Sequence, residues 1–430
     1  MKRRNRIEGQ DVNPATGKSP SQRLNRIVED GLCIGCGICE AVCGTDKIQI
    51  AKDKTGELRP HVAGPLDHDD IDLVYKVCPG TRVEGLPKQT QDEAPQRDVI
   101  WGAYHQLLLG WARDQHVRHE GSTGGVLTAL CQYLLRSQRV DFIYHVKSSA
   151  TDPTFGQVTI SRTPEDVLRA AGSRYGPTDT LSQLSKALSL QEPFALVGKP
   201  CDLNAVRNLA YKDPRVNRFV KYWLTPVCGG YMPTDAMDQF LHARGLTRDA
   251  LKSLRYRGRG CPGPTTIEAG DGTTEDIDYL DFWGEDESAW FLPFRCKVCP
   301  DGIGEGADIA AADSWPGGSP DREISKTDPG TNTMIVRTRT GLELVEAAVR
   351  DGALAVSADV TLDELSANQP HQVKKKMFVA ARYAGLEAAG RLVPETIALR
   401  LEECSELADE MELERQKSGA FERAIKSTNS

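Results

Sequence analysis

Four cysteines lie close together near the start of the chain. They occur in CIGCGICEAVC, Cys33–Cys43, where three cysteines are separated by two residues each and a fourth follows. This spacing is the ligand pattern of bacterial 4Fe–4S ferredoxins, in which several soft thiolates surround one small cluster. Gly35 and Gly37 let the backbone curl tightly around such an object. Because zinc sites usually use two separated CxxC pairs, the run favours an iron–sulfur cluster over zinc.

A distant Cys-Pro pair completes this pattern. In ferredoxin-type runs the fourth cysteine often serves another cluster, and a cysteine before proline ligates the first. Cys78-Pro79 supplies that pair. The sequence therefore predicts one cluster bound by a first cysteine group, consisting of Cys33, Cys36, Cys39 and Cys78. Cys43 is followed by Gly44 where proline is usual, so it is either a packed thiol beside the cluster or an additional ligand.

Composition bounds the cellular setting and the partners. The 430 residues are too many for one ordinary core, so two or three domains are expected. The twelve cysteines occur without a secretory signal, which predicts a cytoplasmic protein whose clustered cysteines bind metal instead of forming disulfides. A net charge of −8 argues against a nucleic-acid partner, and the short apolar runs predict no membrane span.

Four later cysteines form a second predicted group. Two of them directly follow apolar runs that predict buried strands, FALVG (Phe194–Gly198) and WLTPV (Trp223–Val227). Residues that follow parallel strands collect at one edge of a sheet, where ligand sites normally lie. The second cysteine group is then Cys201, Cys228, Cys296 and Cys299. The alternative is that the first two are buried small residues while the late CxxC pair binds zinc. Cys131 and Cys404, on apolar helical faces, are predicted to be core residues.

A glycine-rich segment opens a predicted helix. GSTGG, Gly121–Gly125, precedes VLTALCQYLL, whose apolar residues recur at helical spacing. The hydroxyls of Ser122 and Thr123 can cap the helix, while Gly124, placed in its first turn, and Gly125 let a ligand approach free N–H groups. That arrangement suits the pyrophosphate of a dinucleotide, although such segments often form only a tight turn. The chain lacks a convincing GxGxxG or Walker-type motif.

These patterns predict an α+β or α/β protein. Residues 1–30 are expected to be a polar extension, partly disordered, and 31–90 a small ferredoxin-like domain with little apolar mass. QTQDEAPQRD, 89–98, resembles a linker. An α/β domain follows over 100–385, and 386–430 is expected to be a helical tail, because Ile397, Leu401, Cys404, Ala408 and Met411 recur at helical period.

Taken in order, several motifs resemble the beta-subunit family of deazaflavin (coenzyme F-420) hydrogenases and dehydrogenases, which includes 7-hydroxymethyl chlorophyll a reductases and one class of divinyl chlorophyllide reductase. The resemblance covers roughly residues 30–385. It rests on these ordered segments: CIGCGICEAVC, KVCPG, GSTGGVLTAL, AAGSRYGPT, GKPCDLNAVR, PVCGG, YRGRGCPGP and RCKVCPDGIGEGADIAAADSW.

The resemblance implies two 4Fe–4S clusters and FAD. The 100–385 domain would then bind FAD near GSTGG and the segment Ser173, Arg174 and Tyr175, with the second cysteine group close to the flavin. Lys199 stands where the family often has threonine, and it would stabilise a reduced flavin, bind an acidic substrate or be a surface charge. Asp313 and Tyr175 are candidate proton donors that could equally contact the cofactor.

The expected function is that of an iron–sulfur flavoprotein oxidoreductase. Electrons from ferredoxin or another low-potential donor would pass through the clusters to FAD and leave as hydride to an unsaturated or deazaflavin-type acceptor. One alternative is a non-catalytic electron-transfer subunit of a larger redox complex. Another is a zinc-stabilised interaction protein. A homo-oligomer or a partner subunit is compatible with each.

Overall fold

The N-terminal part of the chain consists of short helices and strands. The computed structural model describes residues 17–284 and 290–426. The first elements, in chain order, are α1 (Pro20–Glu29), α2 (Ile38–Cys43), β1 (Ile48–Lys52), β2 (Leu58–Val62), α3 (His68–Val77), β3 (Arg82–Glu84), α4 (Lys88–Glu93), β4 (Gln96–Asp98) and β5 (Gly102–Tyr104).

Strands and helices alternate through the middle of the chain. These elements are β6 (Gln106–Ala112), α5 (Gln115–Glu120), α6 (Val126–Arg136), β7 (Phe142–Ser148), β8 (Gly156–Ser161), α7 (Pro164–Arg169), α8 (Leu184–Ser189), β9 (Phe194–Val197), α9 (Pro200–Ala210), α10 (Pro214–Phe219), β10 (Val220–Pro226), α11 (Thr234–His242), β11 (Leu251–Arg255), β12 (Thr265–Ala269), β13 (Thr274–Ile277), α12 (Tyr279–Trp283), α13 (Phe294–Lys297), β14 (Ile309–Ser314), β15 (Thr331–Val336), α14 (Arg339–Arg350) and β16 (Leu354–Asp359).

The C-terminal part is mostly helical. It contains α15 (Leu362–Asn368), α16 (Pro370–Ala388), β17 (Glu395–Ile397), α17 (Leu401–Ser405) and α18 (Glu410–Lys426), and short 3-10 turns lie at Arg248–Ala250, Pro316–Gly318 and Ile324–Lys326. Within the described ranges, no helix combines the length and the apolar character needed to cross a bilayer.

An eight-stranded mixed sheet organises the molecule, in the order β16-β6-β15-β14-β10-β9-β7-β8. The central strands β7, β9, β10 and β14 run parallel, and the remaining four are antiparallel to their neighbours. The predicted strands after Phe194 and Trp223 are β9 and the end of β10, and the predicted helix after Val126 is α6. The α/β expectation is thus confirmed with a mixed sheet, whose parallel part is limited to its centre.

Hydrophobic pattern explains why these elements sit where they do. Strand β9 is apolar on both faces, and its residues Phe194, Ala195 and Leu196 are fully buried, as a central parallel strand requires. Helix α6 buries Val126, Leu130 and Leu134 against the sheet. Cys131 and Cys404 are buried, which confirms their prediction as core residues.

The N-terminal unit shares its cores with the rest of the protein. Leu24 and Ile27 of α1 pack in one cluster with Ile71 of α3 and with Val379 and Leu386 of α16. The expected polar extension over 1–30 is therefore wrong for residues 20–29, because Ser19 caps a helix whose apolar side is buried there. Residues 1–16 lie outside the described residues.

Two further expectations are corrected by backbone pairing. The proposed linker at 89–98 contains all but the first residue of α4, and it contains strand β4, which pairs with β5; Ala94 is buried. The 386–430 tail is not continuously helical, because Ile397 lies in β17, which pairs in parallel with β3 of the N-terminal unit. The C-terminal part of the chain therefore pairs with the cysteine-containing N-terminal unit.

The packing of α1 can be tested by truncating its buried residue. Leu24→Ala is expected to lower the free energy of unfolding by about 2–5 kcal/mol, the usual cost of a leucine-sized cavity in a core. Chemical denaturation measures the change. Asn25→Ala, on the exposed side of the same helix, is the control and should lie close to the wild type. Equal stability of both variants would contradict the packing of α1.

Candidate redox site

The first cysteine group converges between α2, α3 and the loop before α2. Cys36 and Cys39 are buried. Burial is the main cause that raises the pKa of each thiol well above its usual range, and the next cause is the sulfur of Cys78 for Cys36 and that of Cys33 for Cys39. Burial also raises the pKa of Cys78 to about 12. These thiols remain protonated at neutral pH unless a metal replaces the proton, because the thiolate is the form that binds metal.

The backbone geometry around these sulfurs explains why positions 35 and 37 are glycines. Gly35 and Gly37 have φ of 67° and 86°, a region that favours glycine. A Cβ on Gly35 would collide with the Leu58 carbonyl, and one on Gly37 would lie 2.6 Å from Ser182 N. The N–H groups of Gly35 and Gly80 donate to the sulfurs of Cys33 and Cys78, both at 3.4 Å. Such N–H contacts tune clusters bound by thiolates.

Cys43 points away from this convergence. Its thiol lies 3.8 Å from the carbonyl oxygen of Asp70 in α3. Burial, followed by the carboxylate of Asp70, raises its pKa to about 11. The contact favours a packed thiol, and its exclusion from ligation stays a prediction.

The second cysteine group meets at the carboxyl edge of the parallel strands. Cys201 follows β9 at the start of α9, and Cys228 follows β10 and donates its N–H to the Gly302 carbonyl at 2.8 Å. All four members line one small cavity together with Ile34, Lys199, Arg295 and Lys375. The structure thus brings the two strand ends and the late CxxC pair together, and their role as cluster ligands stays a prediction.

Each group fits a four-iron cluster on chemical grounds. Each group offers four sulfur donors, and those of the second group line one small cavity in which Lys199, Arg295 and Lys375 supply positive charge. Among the described residues, no three Cys, His, Asp or Glu side chains are close enough to ligate a single metal ion. A cubane requires a wider spacing, because each thiolate binds a different iron atom.

Two adjoining cavities lie beside the second cysteine group. The glycine-side cavity, about 230 Å³, lies beside α6 and is lined by the GSTGG segment and Arg174. The aromatic-side cavity, about 610 Å³, is lined by Tyr175, Trp283, Trp290 and Trp315. They share Ser173, Arg174, Lys199, Pro226 and Asp313. A long ligand with a polar end and a planar aromatic end fits this shape.

Most predicted cofactor residues line these cavities. The glycine-side cavity includes Ser122, Thr123, Gly125, Ser173, Arg174 and Lys199, and Tyr175 lines the aromatic side. Gly124 is the exception. A Cβ there would lie 2.9 Å from Asn332 Oδ1 and 3.0 Å from the Gly110 carbonyl oxygen, so this glycine serves strand packing. Gly125, with φ of 71°, is the N-cap, and α6 begins after it.

Arg257 is the site residue that the sequence analysis missed. Its side chain is 1% exposed and forms an ion pair with Asp313 at 2.6 Å. It also donates to the Ser122 carbonyl at 2.7 Å and to Thr123 Oγ1 at 2.9 Å. The Thr123 hydroxyl donates to the other Asp313 oxygen. The arginine therefore ties GSTGG to the end of β14. An arginine between a tyrosine and a glycine in YRGRG was its available signal.

The two candidate proton donors have different surroundings. Asp313 accepts hydrogen bonds from Thr123 and Arg257, the geometry of a carboxylate that positions its neighbours. Tyr175 packs edge-on against Tyr256 and Trp283, and its hydroxyl lies 3.3 Å from Arg257 Nη1. A role for either as the acid stays a prediction, and the contacts of Asp313 favour positioning.

Arg174 carries unpaired donors beside the glycine-side cavity. Its Nε and Nη1 atoms are buried without a hydrogen-bond partner among the described residues. Burial, helped by the charge of Arg255, lowers the pKa of Arg174 to about 10. Because a buried charge without a partner is costly, this guanidinium suits an anionic ligand such as a pyrophosphate.

Lys199 joins the two cavities to the second cysteine group, since it lines all three spaces. Its Nζ lies 2.8 Å from Asp202 Oδ2 and donates to Thr180 Oγ1 at 3.1 Å. Burial lowers the pKa of this amine, but Asp202 and Cys201 outweigh it and keep the lysine charged. The residue is therefore a site charge, and the surface alternative is not supported.

Comparison with known proteins assigns the chain to a family. Residues 107–185 match the description "coenzyme F-420 hydrogenase/dehydrogenase, beta subunit N-term", and residues 191–361 match the C terminus of the same subunit. The chain is a member of the coenzyme F-420 hydrogenase/dehydrogenase beta-subunit family.

Individual relatives are distant. The coenzyme F-420-dependent sulfite reductase of Methanocaldococcus jannaschii is 26% identical over 83% of this chain and 51% of its own length. The F-420-dependent formate dehydrogenase 1 subunit beta of Methanococcus maripaludis is 29% identical over 59% of this chain and 62% of its length. The coenzyme F-420 hydrogenase subunit beta of Methanococcus voltae is 25% identical over 66% of this chain and 98% of its length. The chain thus spans between half and two thirds of the first two.

A solved structure shares the fold. A chain of the F-420-reducing NiFe hydrogenase complex from Methanosarcina barkeri superimposes with a TM-score of 0.51 at 22% identity. The match covers 65% of this chain and 92% of that one. At this identity the likeness concerns the fold.

The division of roles among the early cysteines is testable by metal analysis. Cys78→Ala is expected to lower the iron content by one cluster, because it removes a member of the converging group. Cys43→Ala should keep nearly all iron, because its thiol faces Asp70. Iron per chain after anaerobic purification distinguishes them. An equal loss in both variants would make Cys43 a ligand and contradict the assignment.

Proposed function

We propose that the chain is the redox subunit of a larger oxidoreductase complex and holds FAD between a small-molecule acceptor and two 4Fe–4S clusters. The carrying observation is continuity: Cys228 and Lys199 line both the cavity of the second cysteine group and the aromatic-side cavity. Ile34, from the loop of the first group, lines the second group's cavity as well. The two cysteine groups and the aromatic-side cavity therefore adjoin one another, with no domain between them.

The chain's own residues suit the binding of FAD. Arg174 offers unpaired donors to the pyrophosphate, and Ser122, Thr123 and Gly125 line the same cavity. Arg257 and Asp313 hold that segment in place through buried hydrogen bonds. A bound flavin would accept electrons one at a time and transfer them as a hydride, which a redox chain of this kind requires.

The aromatic-side cavity supports a planar acceptor. Trp283, Trp290, Trp315 and Tyr279 line it and exclude water from the reacting region. Lys374 on the same wall favours an acceptor with acidic groups. We propose a deazaflavin-type acceptor, since all three relatives described above are named for coenzyme F-420.

The subunit role is favoured over an autonomous enzyme. Two relatives are named as beta subunits, and the solved neighbour is a chain of a hydrogenase complex. In such an assembly a partner subunit stands where ferredoxin or another low-potential donor would otherwise dock. Ferredoxin remains a candidate donor. A zinc-stabilised interaction protein is disfavoured, because no three Cys, His, Asp or Glu side chains among the described residues are close enough to ligate one metal ion.

The proposed cofactor site is tested at Arg174. Arg174→Met is expected to lower the flavin-to-protein ratio at least tenfold, since charge-assisted contacts to a pyrophosphate contribute more than neutral ones. The iron content should stay at the wild-type value, because Arg174 does not line the cavity of the second cysteine group. Absorption spectra and metal analysis of the same sample report both quantities.

A nearby surface arginine provides the control. Arg169→Met changes the same residue type on α7, where the side chain is 71% exposed and pairs with Asp166. Its flavin content should equal that of the wild type. A full flavin content in Arg174→Met would move the cofactor away from this cavity.

A further inference from the structure

Arg295 lies where the two cysteine groups approach each other. It belongs to α13, directly precedes Cys296 and lines the cavity of the second group. Its Nη2 donates to the carbonyl oxygen of Pro79 at 2.6 Å, and Pro79 directly follows Cys78 of the first group. One guanidinium thus touches the backbone of the first group and the cavity of the second.

The surroundings leave this charge incompletely satisfied. Arg295 is 3% exposed, and its Nε and Nη1 atoms have no hydrogen-bond partner in the part of the chain that the structure describes. Burying an arginine with two unused donors is costly unless a negative group faces it. Protein sulfurs are the candidates nearby. Burial lowers the pKa of Arg295, but Cys299, Tyr383, Cys201 and Cys296 together outweigh this effect.

The first group is within reach of the same charge. Burial and the Cys33 sulfur raise the pKa of Cys78. Arg295 is among the groups that lower it. Two other cations near the sulfurs each affect cysteines of one group only. Arg59 acts on Cys33, and Lys375 acts on Cys228 and Cys296 while donating to the Gly229 carbonyl at 2.9 Å.

We propose that Arg295 is a shared counter-charge for both clusters, which raises both reduction potentials. The inference rests on the proposed function, since it requires a cluster in each cysteine group. A cluster held by four thiolates carries negative charge, and reduction adds one more electron. A fixed cation between two clusters favours the reduced form of each, because net charge and hydrogen bonds to sulfur set cluster potentials.

The test uses neutral and charged replacements in the holoprotein. Arg295→Gln removes the charge and keeps a donor for the Pro79 carbonyl, whereas Arg295→Lys keeps the charge. EPR-monitored redox titration gives the potentials, and Cys78→Ala identifies the signal of the second cluster. The Gln variant should shift both potentials negative by at least tenfold in the reduced-to-oxidised ratio, about 59 mV for one electron. The Lys variant should stay close to the wild type.

Two single-group cations serve as matched controls. Arg59→Gln should shift only the first cluster, and Lys375→Gln only the second. Loss of iron from Arg295→Gln but not from Arg295→Lys also supports the counter-charge, because the charge alone then decides retention. The proposal is overturned by an unchanged potential of either cluster in an iron-loaded Gln variant, or by equal iron loss in both variants. A wild-type protein without clusters would instead overturn the proposed function.

Discussion

Convergence of eight cysteines in two groups is the constraint on which the rest of the structure depends. Thiolates placed in a low-dielectric interior repel one another, and burial raises the pKa of Cys36, Cys39 and Cys201 well above the usual range. Metal binding reverses this balance by replacing protons. The glycines of the first loop, the N–H donors to sulfur and the cations Arg295, Lys199 and Lys375 all serve the same electrostatic need.

The carboxyl edge of the parallel strands explains how one chain assembles the site. Cys201 follows β9, Cys228 follows β10, and Asp313 lies at the end of β14, so adjacent strands bring two cysteines and a carboxylate to one edge. Arg257 then bonds Asp313 to the glycine segment. The two cofactor cavities therefore share a wall with the second cysteine group, and their relative position is set by hydrogen-bonded strands.

Local patterns predicted what depends on spacing, and missed what depends on distant packing. The two cysteine groups, α6 and the buried strands follow from periodicity and from the rule for strand ends. Arg257 and Arg295 were not assigned roles, because an isolated arginine has no periodic signature and its partners are far away in sequence. The motif predicted Gly124 in the cofactor site, but the absence of a Cβ at this position instead allows close packing against Asn332 of β15. Residues 20–29 and 395–397 looked polar or helical because their burial and pairing come from elements far along the chain.

The most direct measurement is the cofactor content of the wild-type protein purified without oxygen. Iron, acid-labile sulfide, zinc and flavin are determined on one sample, and EPR spectra are recorded after reduction. The account predicts equal iron and sulfide sufficient for two four-iron clusters, one FAD per chain and EPR signals of two interacting clusters. Zinc in place of iron, or iron without any flavin, would contradict it.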